Sequence, residues 1–267
     1  MQQEPVRRLG IKRGLVAAAL ALGLGLSVGP ASAAEGLNPD ADEILRSMST
    51  FLAGTKAFSV SVDISNEVIT LDAEKLQLNG RATLLVERPS RFYVTRKGKF
   101  ADAEVTFDGS KLTVYGKTVN GYIQKDLAGT IDQAISALEI SSGLSFPGAD
   151  LLLADPYAAL SSGITGSGYY GRAFVGGVQC HHLAFRTAKV DWQIWVKDGG
   201  EPLPMKYVIT SKWMAGAPQY SIELSDWNLK PAIPADRFGF VVPQGAKKLE
   251  TLAVDEAGEF TAPEEGK

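Results

Sequence analysis

The segment 76–87 alternates regularly enough to indicate its conformation. Its even positions are apolar or small, and most of its odd positions are polar. This period of two is typical of an antiparallel strand with one face on a core and one face in water. The alternation ends at Arg88, which falls on the apolar face and precedes Pro89, a residue that restricts its predecessor to extended conformations. Two interpretations stay open: Arg88 is a strand-end cation that reaches water, or it lies at the rim of an apolar cavity.

The first 33 residues have the order of a secretory signal peptide. Basic residues precede an uncharged apolar run over 15–28, and Ala31-Ser32-Ala33 supplies small side chains at the cleavage position. The run is too short and too rich in small residues to indicate a membrane span. The residue directly after the cleavage position is Ala34 and not a cysteine, so we expect a periplasmic protein that is not lipid-anchored. Arg7-Arg8 leaves both the general and the twin-arginine export routes open.

Cleavage after Ala33 leaves an acidic chain. The whole sequence has 27 Lys and Arg and 30 Asp and Glu, of which residues 1–33 carry four and one, so 23 basic and 29 acidic side chains remain. Such a balance predicts no nucleic-acid partner. We expect residues 34–248 to form one domain and the acidic tail, 249–267, to be disordered.

Cys180 is the only cysteine, so the fold has no internal disulfide and depends on burial for its stability. The only histidines, His181 and His182, follow it, and strand alternation places Cys180 and His182 on one face. Zinc sites usually need three or four convergent ligands, and the sequence has no second cluster of this kind. We therefore interpret Cys180 as a buried structural thiol. A metal- or thiol-dependent enzyme at Cys180 and His182 is the weakest alternative.

Segments with a period of two recur along the chain and predict about eleven antiparallel strands, the last of them short and over 238–242. Three helices are predicted to begin at local capping signals: Asn38-Pro39-Asp40, Thr130-Ile131-Asp132-Gln133 and Asp155-Pro156. This order indicates an α+β fold. A sheet of this length usually curls, so we expect a strongly curved, incomplete β-barrel whose open side is closed by the helical segments.

Known catalytic motifs give no support to an enzyme. Residues 166–171 spell the dinucleotide-binding pattern Gly-x-Gly-x-x-Gly, but they are predicted to precede a strand instead of opening a helix. The sequence has no nucleophile elbow, Walker loop, zinc-protease helix or Cys-x-x-Cys. We therefore expect a protein that is not an enzyme and needs no cofactor.

The order of these segments resembles the LolA-like periplasmic lipoprotein carriers. The resemblance rests on Lys56-Ala57-Phe58-Ser59, the strand containing Gly80, the Glu-Arg-Pro-Ser-Arg-Phe of 87–92, the segment 107–115 and the closing segment 237–245 with its Pro-x-Gly turn. More narrowly, 176–186 together with 191–196 resembles a family of predicted periplasmic proteins whose function is not established. This narrower resemblance covers nearly all of the mature chain.

The resemblance implies an incomplete barrel with a helical lid over an apolar cavity that takes acyl chains. In the carriers an arginine of the Arg-Pro motif holds the lid closed, and Arg88 stands at the matching position. It implies a carrier that binds a hydrophobic small molecule, a lipid or a lipoprotein acyl chain, with envelope membrane proteins or lipoproteins as possible partners. The candidate cavity and lid residues are Arg88, Leu84, Val86, Phe92, Trp192, Ile194, Leu138 and Leu151.

A second function stays open on the same sequence. The chain could be a protein-interaction or scaffold module of the envelope whose cavity is filled by its own helices. Large apolar side chains on the helical faces favour neither function, since they could line a cavity or fill it: Ile131, Ile135, Leu138 and Leu151. Lipid bound to the purified protein would separate the two functions.

Overall fold

The computed structural model describes residues 36–98, 102–142 and 146–251, with the backbone of 253–254 and 260–261. The signal peptide lies outside the described residues and stays a prediction. Within the predicted acidic tail, Ala253–Val254 and Phe260–Thr261 pair as a small antiparallel sheet. Most of the rest of that tail lies outside the described residues.

The helices begin at the predicted capping signals. Asn38 Oδ1 accepts a hydrogen bond from Ala41 N at 2.9 Å, and Asp155 Oδ1 accepts one from Ala158 N at 2.9 Å. In the capping box, Thr130 N donates to Gln133 Oε1 at 2.8 Å. The described helices are α1 (Pro39–Gly54), α2 (Ile131–Ser142), a 3₁₀ helix (Ala149–Leu152) and α3 (Pro156–Ser161).

The strands form one curved, unclosed sheet in the order β12-β6-β5-β4-β3-β2-β1-β11-β10-β9-β8-β7. The pairs from β6 to β7 are antiparallel, and β12 lies parallel to β6. The α+β fold with a long curved antiparallel sheet is therefore confirmed. The strands are β1 (Ala57–Ile69), β2 (Lys75–Glu87), β3 (Arg91–Gly98), β4 (Ala103–Phe107), β5 (Lys111–Gly116), β6 (Gly121–Asp126), β7 (Gly166–Val175), β8 (Val178–Arg186), β9 (Val190–Lys197), β10 (Pro204–Ser211), β11 (Gln219–Asn228) and β12 (Lys247–Lys248).

The core lies on one face of this sheet, here called the inner face. Direct cross-strand partners share a face, and the registers align Phe58, Val86, Phe92, Phe107 and Leu112 across β1 to β5. All five side chains are buried. Within the alternating stretch 76–87, Ala82 and Val86 therefore mark the face on which the protein builds its core, whereas Leu76 is exposed.

The second half of the sheet continues the inner face with Ile222, Tyr207, Ile194 and Leu183 across β11 to β8. Helix α1 contacts β7, β8 and β9. Its inward stripe is fully buried in the same core and consists of Ala41, Leu45, Met48 and Leu52. Apolar burial at about 25 cal/mol per Å² thus holds the helix against the sheet.

Two predictions about strands are wrong. Residues 238–242 form no strand; Phe238 lies under the Arg91 guanidinium, and Phe240 contacts Tyr115 and Tyr122. The nearby β12 extends the sheet edge instead. The glycine-rich segment 166–171 lies inside β7 and does not precede it, although it opens no helix.

Candidate functional site

Arg88 joins the end of β2 to the segment 146–155, which contains the 3₁₀ helix. Its Nη1 donates to the carbonyl oxygens of Leu152 at 2.6 Å and Leu153 at 3.0 Å, and its Nη2 lies 3.4 Å from the oxygen of Leu151. The last carbonyls of a helix have no partner within the helix, and a cation there also interacts favourably with the helix dipole. The guanidinium therefore holds this segment by its backbone.

The Arg88 guanidinium is partly buried, and this position costs it part of its hydration free energy. Burial lowers its pKa, and the Asp132 carboxylate counteracts that effect. Its Nε is buried without a hydrogen-bond partner, and Arg88 forms no salt bridge within the described residues. Each charge-assisted hydrogen bond to a carbonyl contributes about 1.5–3 kcal/mol. Polar bonds from Arg88 to main-chain oxygens thus hold the segment, while the side chains of 151–153 lie in or against the apolar core.

Three backbone and carboxylate contacts support this arrangement. Arg88 N donates to Lys56 O at 2.8 Å, which fixes the strand end beside β1. The oxygen of Pro89 accepts from Ile131 N at 2.9 Å, so the residue after Arg88 binds the start of α2. In the next residue of that helix, Asp132 accepts from Ala154 N at 3.0 Å. Asp132 lies within the capping-box sequence, but no sequence pattern marked it as a partner of this segment.

Most of the predicted apolar site residues lie in the core. Val86, Phe92, Trp192, Ile194 and Leu151 are buried, while Leu84 and Leu138 are half-buried against the core. Two of them also contact neighbouring rings: the Phe92 centroid lies 5.8 Å from that of Phe107, and the Trp192 centroid lies 4.1 Å from that of Phe185. In this conformation the chain's own side chains therefore occupy the centre of the inner face.

The structure brings Leu151 and Arg88 together but separates them from Trp192 and Ile194. Arg88 follows β2, whereas both other residues lie on β9, and three strands (β1, β11 and β10) lie between β2 and β9. The predicted residues thus belong to one apolar face without forming a single cluster.

An open cavity of about 620 Å³ lies at the β6 end of the inner face. Its floor is formed by Leu112 and Val114 of β5 and by Ile123 of β6. Helix α2 supplies one wall through Ala137 and Leu138, and residues 248–250 supply another. Of the predicted site residues, Leu138 is the one that lines this cavity.

The segment 146–155 packs closely on the other half of the inner face. Gly148 has φ +91°, and a Cβ at this position would lie 3.0 Å from Ile222 Cδ1. Burial raises the pKa of Asp150, with a smaller contribution from the Glu139 carboxylate. The pKa of Tyr207 is raised by burial and by Asp150. An acidic side chain of this segment is thus partly buried and interacts electrostatically with a buried tyrosine of β10.

The surroundings of Cys180 are those of a structural thiol. Cys180 is free, fully buried and 3.4 Å from the oxygen of Val178, and burial raises the pKa of its thiol. His182 stacks on Trp195 with ring centroids 4.2 Å apart. His181 contacts Tyr169 Oη at 3.0 Å through Nδ1 and an Asp198 oxygen at 3.1 Å through Nε2.

These contacts leave the enzyme alternative without an assembled site. Both histidines are engaged with other side chains, since His182 Nε2 also contacts Gln193 Oε1 at 2.9 Å. The part of the chain that the structure describes holds no group of three or more His, Cys, Asp or Glu side chains placed to bind a metal ion. Among those same residues, no helix has the length and apolar composition needed to cross a membrane.

Comparisons with solved structures find weak similarities. An uncharacterised conserved protein from Thermus thermophilus is 10% identical with a TM-score of 0.45, over 79% of this chain and 98% of that chain. The lipoprotein LppX from Mycobacterium tuberculosis is 14% identical with a TM-score of 0.42, over 73% and 98%. A LolA superfamily protein from Nitrosomonas europaea is 13% identical with a TM-score of 0.37, over 75% and 97%. Similarities of this size carry no argument about function.

The sequence comparison is more specific. No curated protein matches the chain, but the profile of one family, described as a predicted periplasmic protein, matches residues 41–252. This span contains the whole large sheet, α2, α3 and nearly all of α1. The narrower resemblance found in the sequence is thereby confirmed, and the chain belongs to the DUF2092 family of predicted periplasmic proteins.

Proposed function

We propose that this protein binds a hydrophobic ligand in the periplasm, either a lipid or the acyl chain of a lipoprotein, without catalysis. The observation that carries the proposal is the Arg88 guanidinium, which binds the carbonyls of 151–153 at the edge of an apolar face. A buried charge is often not needed for stability, because well-packed apolar side chains can replace it without loss. A cation that binds only backbone oxygens can, however, exchange these oxygens for water, and this property suits a segment that opens.

The energies of opening and of ligand binding are of similar size. Release of the two short charge-assisted bonds from Arg88 to Leu152 and Leu153 costs roughly 3–6 kcal/mol, and opening the segment 146–155 also breaks the bond from Ala154 N to Asp132. Burial of an acyl chain returns about 0.8 kcal/mol per methylene. A chain of about eight methylenes would therefore offset the lost bonds, so the ligand itself could shift the population from closed to open.

Binding of an environment-sensitive apolar dye, with and without competing fatty acid, tests the role of Arg88. Arg88→Leu keeps most of the apolar stem and removes the hydrogen bonds, so we expect dye binding to rise several-fold with little loss of thermal stability. Arg88→Lys should lie between wild type and Arg88→Leu, because an ammonium group cannot reproduce the planar fork.

Arg91→Leu is the matched control, because Arg91 is a half-buried arginine of the same hairpin that pairs with Glu87 at 2.8 Å, and a leucine keeps an apolar contact with the Phe238 ring. It should bind dye as the wild type does. If wild type and all three variants bind dye alike and melt alike, Arg88 is a strand-end cation and the proposal loses its support.

A second function has support from the filled inner face. The α1 side chains that face the sheet are fully buried, and aromatic rings fill the space around Trp192. This arrangement is expected of an envelope protein-interaction module whose cavity is filled by its own helices. Such a module would show no competition between dye and fatty acid in any variant.

A further inference from the structure

The open cavity at the β6 end has an apolar floor and a charged rim. The registers pair Val114 with Ile123 and Leu112 with Lys125, so a lysine ends the row of buried side chains that begins in β1. Residues 247–249 are held beside β6, where Leu249 N donates to Tyr122 O at 2.8 Å. Lys248 of β12 thus lines the same opening as Lys125.

The charges at this opening are predominantly positive. Lys125 and Lys248 line the cavity and form no salt bridge within the described residues. The nearby Asp126 is paired with Lys111 at 2.9 Å, and its pKa is lowered mainly by that pairing and slightly by Lys248. Glu250 is the acidic side chain among the lining residues. Three lysines thus oppose two carboxylates on a protein whose mature chain is acidic overall.

We infer that this cavity binds a single-chain lipid with an anionic head group, whose charge lies between Lys125 and Lys248. The inference rests on the proposed function and adds the chemical class of the ligand. A volume of about 620 Å³ falls within the ~300–1,000 Å³ range of small-molecule sites. The acyl chain lies on Leu112, Val114 and Ile123 beneath α2, and the head group stays at the rim, where both ammonium groups reach it.

Displacement of an apolar dye by paired lipids tests this inference. Palmitate and lysophosphatidylglycerol carry a carboxylate and a phosphate, while methyl palmitate and monopalmitin are neutral partners of similar chain length. In the double variant Lys125→Gln/Lys248→Gln, we expect affinity for the anionic lipids to fall by about 3- to 10-fold, as exposed ion pairs allow. Affinity for the neutral lipids should be unchanged, and high salt should remove the difference. The larger effect, on carboxylate or on phosphate, identifies the head group.

Two further variants locate the site. Lys247→Gln is the control, because Lys247 is exposed in the same strand but does not line the cavity. Ser141→Trp, at an exposed position of the α2 wall, should fill the cavity and weaken both lipid classes. The inference is overturned if the double variant binds anionic lipids as the wild type does, if it weakens neutral lipids equally, or if Ser141→Trp changes nothing. If no lipid displaces dye from wild type or Arg88→Leu, the proposed function itself fails.

Discussion

At the scale of single residues, Cys180 lies in an environment that suppresses thiol chemistry. Its side chain is fully buried, and burial raises the pKa of the thiol, so the reactive thiolate is scarce at neutral pH. We expect a thiol reagent to label the folded protein at least ~100-fold more slowly than the unfolded protein, which corresponds to an opening free energy of about 2.8 kcal/mol.

Labelling kinetics with and without denaturant measure this ratio, and metal analysis of the same material completes the test. Equal rates in the two conditions, or stoichiometric zinc, would remove the structural interpretation and restore an enzyme at Cys180 and His182 as an active hypothesis.

Arg88 could be located from the sequence, whereas its partners could not. Alternation over 76–87 predicted that Arg88 falls on the apolar face, and the structure places it in the turn directly after β2, where its guanidinium binds the carbonyls of 151–153. The groups that it binds are main-chain oxygens, which every residue has, so no side chain in 151–153 marks them. Asp132 was visible as a helix-start residue, but its contact with Ala154 depends on how the helices pack.

At the scale of elements, we expect Asp150 to make closure of the segment 146–155 depend on pH. Burial, and then Glu139, raise its pKa above the ordinary value of 3.8. Because the pKa of Asp150 is raised in the closed state, protonation of this carboxyl stabilises closure. The stabilisation is complete below the ordinary pKa and is lost as the pH rises through the raised pKa. Asp150→Asn cannot ionise, so this variant should stay closed at neutral pH.

Binding of a neutral apolar dye across the range from acidic to neutral pH measures the effect. We expect dye binding to wild type to increase as pH rises, and binding to Asp150→Asn to stay low and flat. Glu139→Gln serves as the intermediate case, because Glu139 contributes less than burial does to the raised pKa. Identical pH profiles for wild type and Asp150→Asn would show that this carboxyl does not control closure.

Helix starts were more predictable than the last strand for a physical reason. Caps such as Asn38 and Asp155 act within three residues, so the local sequence contains the whole signal. A strand needs a partner at a free sheet edge, and the edge at β6 is taken by Lys247–Lys248. The segment 238–242 therefore had strand-like alternation without a ladder to join.

At the scale of the whole molecule, two antiparallel meanders meet where β1 pairs with β11. The sequence predicted the long antiparallel sheet because the strands within each meander pair with their neighbours in the chain. It could not predict the β1–β11 pairing, since the two strands are far apart in the chain. The cavity could not be predicted from the sequence either, because β5, β6, α2 and residues 248–250 come together around it only after folding.

The whole-molecule question is whether the inner face exchanges its own side chains for a lipid. In the closed conformation its centre is filled, the segment 146–155 is bound by Arg88, and space remains at the β6 end. A carrier uses this arrangement as one of two states, whereas a scaffold keeps it permanently. The two differ in whether the protein isolated from the periplasm carries a lipid.

Organic-solvent extraction of protein isolated from the periplasm, followed by mass spectrometry of the extract, tests this most directly. We expect wild type to carry a lipid or acyl chain in near-stoichiometric amount, and Arg88→Leu to carry a changed amount, with Arg91→Leu matching the wild type. Lipid-free extracts from wild type and from Arg88→Leu alike would contradict a ligand-binding role and leave the envelope scaffold as the function.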